Sequence, residues 1–349
     1  MAEKIKIGKR FVGEGYPILI VAELSANHLQ KYELAKKTIR AMKEAGADAV
    51  KLQTYTPDTM TIDADNEHFM IKQGTIWDGK NLYKLYCEAY TPWEWQPKLK
   101  KLAESLGMIC FSTPFDKTAV DFLEKMNVPA YKVASFEIND IPLIEYIASM
   151  GRPVIMSTGI ATKKEIEEAV DACRRKGNSR IILLKCTSSY PAPFDEINLR
   201  TIPDMEKRFR CSIGLSDHTL GSTAPVAAVA LGAKIIEKHF ILDRKLGGPD
   251  APFSMEPAEF RQMVDAIRDA EKALGKVEYE LTPKMTASRK FARSLFVVSD
   301  VRKGDAFTEK NIRSIRPGDG LAPKRIKEVL GKRAKKDIKR GTPLKDDMF

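Results

Sequence analysis

Eight short apolar runs, separated by stretches of helical period, occupy the first 275 residues of this chain and limit what it can fold into. The runs are Pro17–Glu23, Ala49–Gln53, Met108–Ser112, Ala130–Val133, Val154–Ser157, Ile181–Lys185, Cys211–Leu215 and Ile235–His239. Amphipathic patterns lie between them, as at Tyr32–Ala45, Thr118–Met126, Lys163–Lys176, Ala224–Leu231 and Pro257–Leu274. Near-continuous apolar strands joined by crossover helices make a parallel sheet covered on both faces. Eight such units favour a closed (β/α)8 TIM barrel over an open sheet, and no G-x-G-x-x-G turn follows an early strand.

One interval is longer. Tyr55 to Trp95 holds eight of the 28 aromatic residues, including all three tryptophans, Trp77, Trp93 and Trp95. A disordered insertion would be poor in aromatics, so this one is expected to fold. It can wall one side of the barrel mouth or form a satellite core under a long loop.

The net charge of +11 is localised. Of 58 basic and 47 acidic residues, 19 and 8 lie in Lys284–Phe349, which leaves 39 of each in the rest of the chain. The shift marks a boundary near Leu281-Thr282-Pro283. The expected division is a barrel over 1–275, a linker over 276–288 and a small domain over 289–349. In that domain Ser294–Val298 reads as a strand, Val301–Asp305 as a turn, Thr308–Ile312 as a short helix and Lys339–Leu344 as a turn and strand. A basic module can serve nucleic acid, an anionic substrate or a solvated surface, and lysines interspersed with a regular apolar pattern favour the last two. No apolar run is long enough for a membrane span, and Met1–Lys6 lacks the core of a secretion leader. Five cysteines without C-x-x-C spacing read as reduced thiols, so a cytoplasmic protein is expected.

Active sites of such barrels form at the carboxyl ends of the strands. Polar residues close every run: Glu23; Lys51 and Gln53; Ser112 and Thr113; Lys132 and Ser135; Ser157 and Thr158; Lys185, Thr187 and Ser188; Ser216 and His218; Glu237 and His239. A charge inside a buried run is costly unless it faces a polar cavity or a partner. Lysines and hydroxyls with few carboxylates suit a ligand carrying phosphate and carboxylate. A buried lysine can also be a Schiff-base nucleophile, with Lys132 and Lys185 as candidates, which leaves an aldolase open. His218 and His239 follow neighbouring strands and are candidate ligands of a divalent ion in an open Lewis-acid site. His28 reads as a loop residue, and His68, in the insertion, has no catalytic reading.

Several ordered motifs resemble the sialic acid synthase family: Ala22-Glu23-Leu24-Ser25-Ala26-Asn27-His28, Lys51-Leu52-Gln53-Thr54-Tyr55-Thr56-Pro57-Asp58, Ser112-Thr113-Pro114-Phe115, Tyr131-Lys132-Val133-Ala134-Ser135, Gly214-Leu215-Ser216-Asp217-His218-Thr219, Glu237-Lys238-His239-Phe240 and Arg316-Pro317-Gly318-Asp319-Gly320-Leu321. The likeness runs nearly end to end, and the last segment is similar to the antifreeze-like (SAF) domain. The Ser-Ala-Asn-His form of the first motif, Trp77-Asp78 and Thr91-Pro92-Trp93-Glu94-Trp95 lean towards the pseudaminic branch; the N-acetylneuraminate and legionaminic branches are the alternatives.

The resemblance implies a metal-dependent condensation of phosphoenolpyruvate with an amino-sugar aldehyde, for the pseudaminic branch 2,4-diacetamido-2,4,6-trideoxy-L-altrose. It implies His218 and His239 as ligands of Mn²⁺ or another divalent ion such as Mg²⁺ or Co²⁺. Lys51, Thr113, Lys132, Ser135, Ser188 and Ser216 would bind phosphoenolpyruvate. Glu23 would orient or deprotonate water. Gln53, Glu137, Tyr190 and Asp250 would face the sugar, and Phe291 would line its pocket. Arg316 would reach a partner's sugar site in a domain-swapped homodimer. The position of Ser188 is commonly Asn in the N-acetylneuraminate branch, so an amide contact does not carry over. Neither nucleic acid nor membrane is implied as a partner.

Overall fold

A computed structural model describes residues 4–349. Eight parallel strands close on themselves: β3 (Leu19–Glu23), β4 (Ala49–Thr54), β5 (Ile109–Pro114), β6 (Tyr131–Val133), β7 (Val154–Ser157), β8 (Ile181–Cys186), β9 (Ser212–Asp217) and β10 (Ile235–His239), with β10 pairing back onto β3. They are preceded by an antiparallel hairpin, β1 (Ile5–Ile7) and β2 (Arg10–Val12). Each barrel strand overlaps its expected run, and the ends differ by a few residues.

Strand alternation sorts the side chains. Leu19, Val21, Ala49, Phe111, Ile155, Ile182, Leu184 and Ile235 form one apolar cluster, the barrel interior. Ile20, Ala22, Val50, Val133, Met156, Leu183, Ile213 and Ile236 belong to the larger layer shared with the helices. Ile5, Ile7 and Val12 of the hairpin join the interior cluster and plug the amino-terminal end. Each buried Ile, Leu or Val contributes roughly 1.5–3 kcal/mol, so both layers are needed to hold polar residues at the other end.

Helix boundaries follow local chemistry. Lys163–Arg175 begins at Thr162, where Glu165 accepts from the Thr162 amide at 2.7 Å in a capping box. Pro257–Leu274 starts on a proline and stops before Gly275, whose φ of 47° lies in the left-handed region. The long insertion is folded. Asn81 caps Leu82–Ala89, and Gln96–Ser105 supplies the crossover into β5.

The chain divides into two compact units, one ending at Gly275 and the other spanning Lys276–Phe349. In the second, β11 (Ser294–Val297) pairs antiparallel with β12 (Ile312–Ile315) over a core that includes Leu295, Val297, Val301, Phe307, Ile312, Val329 and Leu344. The helix expected at Thr308–Ile312 is instead a turn running into β12. A single turn forms, with the Asn311 and Ile312 amides donating to the Thr308 carbonyl at 3.1 and 3.0 Å and Asn311 Oδ1 accepting from the Thr308 amide at 2.7 Å, and it goes no further because buried Ile312 opens the strand.

Candidate active site

The inward positions at the carboxyl ends of the strands bring together Glu23, Lys51, Thr113, Lys132, Ser157, Cys186, Ser216 and Glu237, all buried, and half-buried Gln53 and His239. Glu237 is the hub. Its Oε1 lies 3.0 Å from Lys51 Nζ and 3.8 Å from Lys132 Nζ and accepts from Ser216 Oγ at 3.0 Å. Burial alone would raise this carboxyl, but Lys132 and Lys51 hold it well below the usual range, so it stays ionised. Burial pushes Lys51 down to about 8 against the attraction of Glu237. Lys51 Nζ also stands 2.6 Å from Glu23 Oε2 without bonding alignment, while Glu23 Oε1 accepts from the Ser25 amide at 3.0 Å.

Lys132 Nζ donates to Ser157 Oγ at 2.6 Å and to the Val133 carbonyl at 3.0 Å. This lysine is the first Schiff-base candidate, and both of its hydrogen bonds run to acceptors. Lys185, the second Schiff-base candidate, is out of phase. It lies between inward Leu184 and inward Cys186, and its Nζ donates to the Cys186 carbonyl at 2.7 Å and to Thr187 Oγ1 at 3.1 Å. Ser112 also lies outside the ring, sharing a 2.7 Å hydrogen bond with Thr54.

Beyond β7 the Gly159 amide donates to Ser135 Oγ at 3.1 Å. A Cβ on Gly159 would come within 2.1 Å of Ser188 Oγ, 2.8 Å of Ser135 Oγ and 3.1 Å of Cys186 Sγ. The backbone thus approaches two hydroxyls and a thiol so closely that any Cβ here would push the Ser188 and Ser135 hydroxyls from their places.

The two histidines meet. The His218 and His239 ring centroids are 5.4 Å apart. His218 Nδ1 lies 3.0 Å from the Thr187 carbonyl, which can only accept, so Nδ1 donates; burial opposes the charged ring, but Cys186 and that carbonyl raise this imidazole above its usual range, and Nε2 is the nitrogen whose proton a cation would displace. His239 Nδ1 is buried with no hydrogen-bond partner, 3.8 Å from Asp250 Oδ2, and burial followed by the nearby charge of His218 drives this imidazole far towards its neutral form. Thr113 Oγ1, Glu137 Oε2 and Glu237 Oε2 are also buried without hydrogen-bond partners, and Glu23 Oε2 has only its ion-pair contact with Lys51. A cluster of orphaned polar atoms in one cavity is what a site built for a polar ligand leaves behind. The residues fit a divalent ion on two imidazoles, and no third His, Cys, Asp or Glu completes a cluster among the described residues.

The sugar-side candidates are less uniform. Tyr190 packs its ring 4.3 Å from His218 and 5.4 Å from Trp77, whose indole donates to the Pro249 carbonyl at 2.9 Å. Trp77 therefore walls the mouth, while Trp93 and Trp95 pack against Phe122 and Tyr32 in satellite contacts. Glu137 is half-buried, and burial raises its carboxyl to about 7. Asp250 accepts from the Ser25 hydroxyl, which puts it behind His239 and holds Ser25 at a φ of 45°. Arg316 and Phe291 are exposed in the second unit. His28 is structural: its Nδ1 accepts from the Gln30 amide at 3.1 Å, its Nε2 lies 3.0 Å from Thr91 Oγ1, and burial lowers it to about 4.

The NeuB family profile matches residues 38–279. The chain belongs to the NeuB family. A SAF domain matches residues 292–349 of this NeuB-family chain. Pseudaminic acid synthases of Helicobacter pylori and Campylobacter jejuni serotype O:2 are 50% and 48% identical to it over 332 residues, covering 95% of this chain and 97% and 96% of theirs. A crystal structure of N-acetylneuraminic acid synthetase from Leptospira borgpetersenii superposes with a TM-score of 0.74 at 32% identity, covering 82% of this chain and 95% of that one.

Sequence reasoning left three parts of this NeuB-family site without a role. Glu237 closes a run but joins two lysines only once the barrel closes. Cys186 reads as an ordinary buried thiol; burial pushes it up, yet the facing His218 brings it to about 7. Gly159 carries no signal except its position in Ser157-Thr158-Gly159.

Proposed function

We propose that this chain is a pseudaminic acid synthase, condensing phosphoenolpyruvate with 2,4-diacetamido-2,4,6-trideoxy-L-altrose and releasing inorganic phosphate. The observation that carries the proposal is the pairing, in one barrel mouth, of a lysine–hydroxyl anion site with two facing imidazoles. Near half of all positions shared with the Helicobacter and Campylobacter enzymes supports the choice of sugar.

In this reading Lys51 and Lys132 neutralise the carboxylate and phosphate of phosphoenolpyruvate. Thr113, Ser135, Ser188 and Ser216 satisfy the remaining oxygens. The enol-ester oxygen pushes electrons through C3 onto the aldehyde carbon, forming the new C–C bond as the carbonyl π pair moves onto the aldehyde oxygen, which becomes the new hydroxyl. Water adds to the oxocarbenium carbon as Glu23 Oε2 takes a proton, an effect on the order of 10²- to 10⁴-fold. The adduct collapses with cleavage of its C–O bond, and phosphate leaves with the electron pair. The two protons of the water end on the new hydroxyl and on the departing phosphate. Gln53, Glu137 and Tyr190 hold the sugar, with Asp250 behind His239.

His218 Nε2 and His239 Nδ1 would hold Mn²⁺, or Mg²⁺ or Co²⁺, which supplies a Lewis acid for the aldehyde oxygen. The enzyme works in the cytoplasm, consistent with five free cysteines, and as a domain-swapped homodimer in which Arg316 of the partner subunit contacts the sugar.

A phosphate-release assay tests the proposal. The altrose derivative, N-acetylmannosamine and the legionaminic precursor are each offered with phosphoenolpyruvate and Mn²⁺. Fastest release with the altrose derivative, abolished by EDTA, is expected. Equal or faster release with either of the other sugars overturns the assignment.

A further inference from the structure

Behind the two histidines, on the outward face of the same strands, lies a buried ion pair with no part in the chemistry above. Lys238 and Asp217 are direct register partners across β10 and β9, and their side chains are 0% and 1% exposed. Lys238 Nζ donates to Asp217 Oδ2 at 2.5 Å and also to the Thr219 carbonyl. Asp217 accepts from the Thr219 amide and from the Thr219 hydroxyl, each at 3.0 Å. One ammonium thus ties together residues 217 and 219, which flank His218, and it sits on the residue that precedes His239.

Stability alone does not account for such a pair. Burying two charges costs about as much as their attraction returns, and an apolar replacement of both partners is often neutral or stabilising. What a satisfied buried network adds is a single geometry. Fixing Lys238 on the outer face of β10 fixes the Cα–Cβ direction of the adjacent His239, and the bonds joining Asp217, Lys238 and Thr219 pin the turn just past the end of β9 that carries His218.

We propose that Lys238, Asp217 and Thr219 form a positioning clamp that sets the separation of the His218 and His239 imidazoles and, through it, the affinity for the divalent ion. The inference rests on the metal reading above and adds residues that never touch the ion or the substrates. Residues that orient metal ligands from behind are typically worth about 10- to 100-fold in affinity.

The test measures Mn²⁺ binding to full-length, EDTA-treated protein by calorimetry, alongside thermal midpoints. Wild type is compared with the Asp217→Asn/Lys238→Met double variant, with Thr219→Val, and with His218→Ala as the reference for loss of the site. The double variant is expected to keep a cooperative transition near that of wild type and to bind Mn²⁺ about 10- to 100-fold more weakly. Raising Mn²⁺ should restore its turnover. Thr219→Val removes one hydrogen bond to the buried Asp217 carboxylate and should weaken binding about tenfold without depending on the fold of the double variant. Wild-type affinity in both clamp variants, with binding lost in His218→Ala, overturns the clamp and leaves the metal reading standing. Unchanged binding in His218→Ala overturns both.

Discussion

At the scale of single residues, the site is a balance of buried charges that water would otherwise screen. Glu237 faces two lysines and stays ionised, whereas Glu137, with less compensation, is raised by burial from 4.5 to about 7. The sign follows from proton linkage. Between those two values the folded protein holds a proton that the unfolded chain has lost, so stability falls as pH rises from about 4.5 through 7. Glu137→Gln should flatten that part of the thermal-midpoint profile. Parallel profiles for the two proteins would contradict the burial of this carboxyl. Gly159 makes a purely steric prediction. Its φ lies outside the left-handed region, so alanine is tolerated by the backbone, yet the added Cβ collides with Ser188 and Ser135. Gly159→Ala should raise the KM for phosphoenolpyruvate about tenfold or more, at the usual 1–3 kcal/mol of overpacking. An unchanged KM would remove Gly159 from the anion site.

At the scale of elements, the insertion after β4 shows how a segment outside the barrel repeat reaches the site. Asp78 accepts from the Gly74 and Thr75 amides at 2.9 and 2.8 Å and from the Thr75 hydroxyl at 2.9 Å, locking the turn that presents Trp77 to Tyr190 and Phe253. Trp77→Ala should therefore raise the KM for the sugar about 3- to 10-fold, the worth of an aromatic contact, while the KM for phosphoenolpyruvate stays as it was. Equal effects on both substrates would point to general loosening of the mouth. The strands teach a different lesson. Periodicity located all eight barrel strands, though not the amino-terminal hairpin or β12, and the phase of a buried run cannot be read when both faces are apolar. Lys185 and Cys186 are adjacent, and only the closed sheet decides that the thiol faces inward and the lysine does not.

At the scale of the molecule, charge is divided between the two compact units, with the whole positive excess in the last 66 residues. In the proposed domain-swapped dimer, a basic module serving the anion-binding site of a partner subunit would give that asymmetry a role, and complementation checks it. Mixing Arg316→Ala subunits with His239→Ala subunits should recover activity that neither variant has alone. No recovery would mean that each arginine serves its own barrel or none. The sequence by itself determined the barrel, because apolar runs at βα spacing have few other ways to bury themselves, and it marked the strand-end residues, because a charge in such a run must face something polar. Ordered motifs added the family and the roles to expect. Tertiary structure alone decided the hub at Glu237, the cradle at Gly159 and the clamp behind the histidines. The hub joins Lys51 to Glu237 and exists only once β10 has closed onto β3, whereas the cradle and the clamp join neighbouring strands 24 and 21 residues apart; all three depend on distances of a few ångströms that no spacing in the sequence specifies.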